Sequence, residues 1–310
     1  MATLRIHALG RLRVFYDQSP LHFPTKKPQD LLCFLLLHAE ETLERDLIAE
    51  RLWPMRPPGK ARRSLSTALW RLRQTLECLP PTQSYLLTER NTLAFNMTAP
   101  YWFDVEAFER QATFGLAGSL PCAEAQRRAL EEALDLYCGD LLEGCYEDWC
   151  LLERERLQLL LLRVLKRLQR HYRLCEAFEA AISCGHRLLN LDPLQEDVHR
   201  ELMRCYMEAG QRPLALEQFQ RCRETLRREL HIEPMPETWR LYRRIRGGQE
   251  PTLLQEVPGD GRPSLQEALT RLRRALDALE SVWQALQALS VELVEASESA
   301  QEGTVHPEHG

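Results

Sequence analysis

The sequence lacks the features that identify several large classes of protein. Its apolar run from Leu157 to Leu162 is short and is flanked by Arg156 and Arg163, so we expect no membrane span. The first ten residues, MATLRIHALG, alternate in polarity and carry charge, so we expect no signal peptide and a cytoplasmic protein. No two of the ten cysteines lie three positions apart, which excludes the paired spacing of a zinc knuckle.

Catalytic and nucleotide-binding motifs are also missing. Gly59 and Lys60 have no glycine at the upstream position of a phosphate-binding loop, and GxSxG, HExxH and GxGxxG do not occur. We interpret His199 as structural because it falls within a helical pattern, and the cysteines as small buried apolar residues, with a redox role as the alternative. We therefore expect no enzyme, no cofactor and no metal.

The charge is distributed unevenly over a chain long enough for two or three domains. The 310 residues carry a net charge of -5. Residues 1–100 hold 14 basic against 9 acidic side chains, whereas residues 101–248 carry -3 and residues 249–310 carry -7. A polyanionic partner therefore fits the first hundred residues and not the remainder.

Residues 1–100 alternate between strand and helix patterns. We predict, in order, a hairpin over residues 3–16, a third strand from Leu21 to Phe23, helices from Pro28 to Ala39, Glu44 to Trp53 and Lys60 to Cys78, and strands Tyr85 to Thr88 and Thr92 to Phe95. This order is typical of a winged helix-turn-helix preceded by a small sheet. The turn between the last two strands places Arg90 at the tip of the wing.

The helix from Lys60 to Cys78 has two opposite faces. Leucines 65, 69, 72 and 76 form one apolar stripe, and the other side is polar, with four arginines and no carboxylate before Glu77. One interpretation is an ordinary amphipathic surface helix; the other is a recognition helix in a DNA major groove. In the second case the DNA-binding residues are Arg62, Arg63, Ser64, Thr67, Trp70, Arg71, Arg73, Gln74 and, on the wing, Arg90.

From residue 101 to about residue 247 the pattern is helical throughout. Five residues recur after 34 positions, the tetratricopeptide period: Leu168 as Leu202, Arg170 as Arg204, Tyr172 as Tyr206, Ala181 as Ala215 and Arg187 as Arg221. We expect this part (residues 102–247) to fold alone and to have no DNA affinity. The alternative is chance recurrence in a helix rich in leucine and arginine.

The last segment combines a linker, a heptad pattern and an acidic tail. Glycines and prolines mark a linker over residues 248–263, and apolar residues from Leu265 to Leu293 follow a heptad seam within a helix over residues 264–296. This seam predicts a homo-oligomer, although docking onto another surface is an equal alternative. Residues 297–310 are acidic and predicted to be disordered.

The first hundred residues resemble a known family of regulators. The matching residues are Leu9-Gly10, Leu31-Leu32, Leu52-Trp53-Pro54, Leu69-Trp70-Arg71-Leu72-Arg73, Asp104 and Phe108. They resemble the N-terminal domain of bacterial AfsR/DnrI-like antibiotic-regulatory proteins, whose DNA-binding domain is similar to that of OmpR and PhoB. The family's position before Arg-Leu-Arg is usually basic; here it is Trp70, which offers apolar contact to a thymine methyl group or a sugar.

The helical residues resemble the bacterial transcriptional activator domain of the same family. The matching residues are Tyr137, Gly139-Asp140-Leu141-Leu142, Asp148-Trp149, Arg154, Asp192-Pro193-Leu194, Glu196, His199, Tyr206, Gly210, Ala215 and Glu233-Pro234. The family usually has glycine before Ile232, where this chain has His231. The resemblance implies contact with RNA polymerase.

Two functions are therefore under comparison. The first is a DNA-binding transcriptional regulator with a mainly α fold: a winged helix-turn-helix (1–100), an all-α tetratricopeptide-like domain (101–247) and a C-terminal heptad helix. The second is a helical-repeat interaction scaffold whose winged helix binds protein. The carboxylate-free face of the Lys60 helix favours the first, because a protein-binding winged helix has no need of it.

Overall fold

The computed structural model describes residues 3–77 and 84–247, which belong to one compact unit, Met1–Gln249. The predicted linker, heptad helix and acidic tail lie outside the described residues. The strands of the described part are β1 (Leu4–His7), β2 (Arg13–Tyr16), β3 (Ser19–Pro20), β4 (Leu43–Glu44), β5 (Leu86–Thr88), β6 (Thr92–Phe95) and β7 (Tyr101–Phe103). Its helices are α1 (Lys26–Leu37), α2 (Arg45–Leu52), α3 (Pro58–Glu77), α4 (Asp104–Leu116), α5 (Glu124–Leu136), α6 (Asp148–Leu174), α7 (Phe178–Leu191), α8 (Glu196–Glu208), α9 (Arg212–Leu230) and α10 (Pro236–Gly247).

The first sheet has the strand order β3-β2-β1-β7. β1 and β2 form the predicted antiparallel hairpin, with Ile6 opposite Val14, and both side chains are buried. β7 pairs with β1 in parallel, so that Ile6 lies opposite Phe103. Residues 101–103 therefore form the fourth strand of this sheet, although helices α1 to α3 and the wing separate them from β1 and β2 in the sequence.

The predicted third strand from Leu21 to Phe23 is wrong. The pairing resumes earlier, at Ser19 opposite Tyr16, because Asp17 adopts a left-handed conformation (φ 54°) that reverses the chain within two residues. The Leu21 N–H still donates to the Val14 carbonyl at 2.8 Å, but strand pairing ends there.

The predicted order of helices and wing is confirmed, with small shifts at the ends. α1 begins at Lys26, which places Pro28 in the first turn, where a missing N–H costs no hydrogen bond. α2 and the wing strands β5 and β6 lie within the predicted ranges. The sequence did not predict β4, a two-residue strand that pairs with β6 and closes the second sheet in the order β4-β6-β5.

The helical part consists of consecutive helices that contact their neighbours. Equivalent positions of the 34-residue recurrence lie on successive helix pairs: Leu168 and Leu202, on α6 and α8, and Ala181 and Ala215, on α7 and α9, are all fully buried. The assignment as a tetratricopeptide repeat stays a prediction. Of the nine cysteines in the described part, seven are buried as expected, and two, Cys138 and Cys175, are exposed.

Two histidines of the helical part, His199 and His231, have well-defined structural roles. The His199 ring is 4% exposed; its Nε2 lies 3.1 Å from the Pro193 carbonyl oxygen and its Nδ1 lies 2.7 Å from Gln218 Nε2. This is the environment of a structural histidine, and burial lowers its pKa. His231 ends α9 in a left-handed conformation (φ 58°), the conformation that favours glycine.

Asp104 joins the winged-helix part to the helical part. Its buried carboxylate accepts N–H hydrogen bonds from Ala8 (2.8 and 2.9 Å) and Leu9 (2.9 Å), almost a hundred residues earlier. Burial raises the pKa of this carboxyl group, and the two N–H groups oppose the shift. The segment before α6 adds backbone bonds to the same strand end, such as Leu142 N–H to the Ala8 carbonyl at 2.8 Å.

One hydrophobic core runs through both parts. It contains β1, α1 and α3 residues together with residues of α4 and α6, and the Phe34 and Trp149 rings meet edge to face at 5.4 Å. In a fragment of residues 102–247, β7 would lack its partner strand β1, and the apolar surface around Trp149 would be exposed. The expectation that this fragment folds alone stays a prediction, and the shared core argues against it.

Candidate nucleic-acid interface

α3 has the two faces that its sequence predicts. The stripe Leu65, Leu69, Leu72 and Leu76 is at most 6% exposed and packs into the core. The opposite side of the helix carries Arg63, Thr67, Trp70 and Gln74, which are all exposed and repeat at intervals of four, three and four residues. These four side chains define what we call the central stripe.

Two arginines flank the central stripe, and each is hydrogen-bonded to a threonine outside the helix. Arg71 Nη1 donates to Thr25 Oγ1, immediately before α1, at 3.2 Å. Arg73 Nη2 donates to Thr88 Oγ1, on the wing strand β5, at 2.6 Å. Both arginines are half-buried, so their long side chains are restrained while the guanidinium groups keep donors for a phosphate.

Arg62 and Ser64 occupy the edges of the predicted site and are engaged within the protein. Arg62 forms a two-pronged ion pair with the Asp46 carboxylate of α2, which raises the pKa of the arginine, and its side chain remains exposed. Ser64 Oγ accepts a hydrogen bond from Arg56 at 2.8 Å and donates to the Lys60 carbonyl at 2.9 Å. Nucleic acid would compete for both side chains.

The wing places Arg90 where the sequence predicts it. β5 and β6 pair antiparallel with Thr88 opposite Leu93, and Arg90 is exposed in the connecting turn. The turn is supported from below by the Arg45 N–H, which donates to the Asn91 carbonyl at 2.9 Å. The Arg73–Thr88 hydrogen bond links this wing directly to α3.

The sequence did not reveal Thr25, Thr88 or Asp46 as parts of the site. Thr25 carries one recognisable signal, since threonine directly before a helix is a common N-cap, but here its side chain makes no cap bond. Within residues 3–77 and 84–247, histidine, cysteine and carboxylate side chains form no group that could hold a metal ion. None of the helices described is both long and apolar enough to cross a bilayer.

Comparison with known proteins finds two family matches in this chain. The family described as "Transcriptional regulatory protein, C terminal" matches residues 20–92, and "Bacterial transcriptional activator domain" matches residues 103–246. The transcriptional regulatory protein MoaR1 of Mycobacterium bovis is 26% identical over 255 residues, covering 78% of this chain and 79% of its own. The regulatory protein DnrI of Streptomyces peucetius is 28% identical over 249 residues, covering 74% and 88%.

A solved structure shares the fold. Mycobacterium tuberculosis EmbR, in complex with a low-affinity phosphopeptide, superposes with a TM-score of 0.66 at 22% identity, covering 89% of this chain and 72% of EmbR. At this identity the likeness concerns the fold alone.

The winged helix, the exposed polar face of α3 and the helical domain behind them define a DNA-binding transcriptional regulator. The chain carries the two domains that AfsR/DnrI-like bacterial regulators combine, an OmpR/PhoB-like DNA-binding domain and a bacterial transcriptional activator domain. The matched relatives are transcriptional regulators, so the alternative of a protein-binding scaffold is not supported.

Proposed function

We propose that residues 1–100 bind duplex DNA with α3 in the major groove and the wing beside it. The contacts come from the nine residues predicted from the sequence: Arg62, Arg63, Ser64, Thr67, Trp70, Arg71, Arg73, Gln74 and Arg90. The observation that carries this proposal is the exposed central stripe, flanked by Arg71 and Arg73, opposite a fully packed leucine stripe. Such a helix is fixed in the fold and offers its donors outward.

In this proposal Arg71 and Arg73 bind phosphates and the central stripe faces the bases. Each guanidinium is held by one threonine hydroxyl, which limits the side-chain freedom that would otherwise be lost on binding. Arg62 exchanges its exposed ion pair with Asp46 for a phosphate, which is a small change because both partners are solvated.

We propose further that the helical part, residues 101–247, contacts RNA polymerase and that the protein activates transcription without catalysis of its own. The near balance of acidic and basic residues makes this part a poor ligand for DNA and fits a protein partner. Residues 265–293 are proposed to mediate self-association, which would provide two DNA-binding units for paired half-sites.

The salt dependence of binding tests the DNA contacts. A duplex selected from a random pool is titrated with the full chain and with the double variant Arg71→Ala/Arg73→Ala. Two lost phosphate contacts should lower the slope of log K against log salt by about two units. Arg170→Ala, an exposed arginine on α6, is the matched control and should leave the slope unchanged. Equal isotherms for the double variant and the unmodified chain at every salt concentration would refute the assignment.

A further inference from the structure

Trp70 stands apart from its neighbours on α3. Its indole is 62% exposed, and among the described side chains of this helix it is the one large apolar group on the exposed face. Isolated apolar side chains are common on protein surfaces and carry no meaning by themselves. The position of Trp70 within the proposed DNA-binding face is what gives it a specific chemical role.

Trp70 lies between the two restrained arginines. On a helix that turns about 100° per residue, Arg71 is displaced to one side of Trp70 and Arg73 to the other. Their hydrogen bonds continue this divergence, because Arg71 reaches Thr25 before α1 and Arg73 reaches Thr88 on the wing. With the arginines directed to the two phosphate walls of the groove, Trp70 is directed to its floor, where the base edges lie.

The floor of the major groove presents one apolar group, the C5 methyl of thymine; every other base edge offers donors or acceptors. An exposed indole at this place therefore has a single apolar partner. Sugars, the other apolar surface of DNA, line the walls, toward which Arg71 and Arg73 point.

We infer that Trp70 contacts the C5 methyl group of a thymine and imposes a thymine at one position of the binding site. This inference rests on the proposed DNA contact of α3 and adds the identity of the group that one residue recognises. Thr67 precedes Trp70 on the central stripe by about one helical turn and is exposed on the same side of α3.

The first experiment selects duplexes from a random pool with the full chain and with Trp70→Arg. The unmodified protein should enrich one thymine that Trp70→Arg replaces by guanine, because arginine pairs with the O6 and N7 atoms of guanine. Failure to enrich any sequence would overturn the proposed function and this inference with it.

The second experiment removes the methyl group itself. Each thymine of the selected duplex is replaced in turn by deoxyuridine, which lacks only the C5 methyl. At one position the unmodified protein should bind about three- to ten-fold more weakly, as expected for one lost methyl contact. Trp70→Ala should bind the thymine and deoxyuridine duplexes equally.

Matched controls separate this effect from a general loss of binding. Leu152→Ala on α6 removes a side chain of nearly equal exposure, 61%, and should retain the sensitivity to deoxyuridine. Thermal melting should show that Trp70→Ala remains folded, since the residue is exposed. If the unmodified protein enriches a sequence but shows no deoxyuridine-sensitive position, or if the sensitivity persists in Trp70→Ala, the inference is overturned and DNA binding stands.

Discussion

The Asp104→Ala substitution should be one of the most destabilising changes of a polar residue in this chain. Asp104 is 3% exposed, and its carboxylate is the acceptor for the N–H groups of Ala8 and Leu9, which are themselves buried. A buried N–H without an acceptor costs about 1–3 kcal/mol, so the loss of both bonds should lower the free energy of unfolding by about 2–6 kcal/mol. For a unit of this size the melting temperature should fall by roughly 4–24 °C.

A matched control isolates the contribution of Ala8 and Leu9. Asp104 is also the first residue of α4, where a carboxylate interacts favourably with the helix dipole. Asp148 is the first residue of α6 and is exposed, so Asp148→Ala loses the dipole interaction alone, worth about 0.3–1 kcal/mol. The difference between the two variants measures the hydrogen bonds that join the winged-helix part to the helical part.

Urea unfolding followed by circular dichroism gives the two free energies, and hydrogen exchange reports on the two amides directly. In Asp104→Ala the amide protons of Ala8 and Leu9 should exchange much faster, whereas Asp148→Ala should leave them protected. The reasoning fails if Asp104→Ala costs no more than Asp148→Ala, or if both amides stay equally protected.

Three further predictions concern stability and assembly. His231→Gly should raise the free energy of unfolding by about 0.5–1 kcal/mol, because the backbone of this residue is in the left-handed conformation that glycine adopts without strain. An unchanged urea midpoint would show that His231 is not strained. Burial depresses the pKa of His199 in the folded state, so below about pH 6.5 the unfolded state takes up a proton that the folded state does not, and stability falls. Between pH 7 and pH 5.5 the free energy of unfolding of His199→Gln should therefore fall less than that of the unmodified chain, by at most about 1.4 kcal/mol per pH unit. Equal losses in the two proteins would refute this. Light scattering should find an oligomer for the full chain but not for a chain ending at Gly248; two monomers at micromolar concentrations, with the shorter chain melting lower, would instead favour docking of residues 265–293 onto the helical part.

The elements with a clear period could be predicted from the sequence. The leucine stripe of α3 fixed its buried face, and the same period placed the central stripe on the outside. β4 and β7 were missed because strands of two or three residues are too short to show alternation. β3 was misplaced because the left-handed conformation of Asp17 depends on the turn it makes, and aspartate does not require that conformation.

In the candidate site too, the sequence predicts local features but not contacts between residues far apart in the chain. Exposure on α3 follows from the helical period, but the partners of its arginines come from elements separated in sequence: 46 residues for Thr25, 15 for Thr88 and 16 for Asp46. A local pattern cannot specify such pairs, because they depend on how α1, α2 and the wing pack against α3.

The shared core has a consequence for how the regulator could transmit its effect. β7 pairs with β1, the Asp104 carboxylate accepts hydrogen bonds from Ala8 and Leu9, which follow β1, and Phe34 packs on Trp149. The winged-helix part and the helical part are therefore held together by one continuous set of contacts. A hinge between DNA-binding and activating parts would need to break these buried bonds, at a cost of several kcal/mol. If the helical part contacts RNA polymerase as proposed, the position of that contact relative to the bound DNA is therefore set by the fold. Regulation would then act more readily on how often the protein occupies its site than on the angle between its parts.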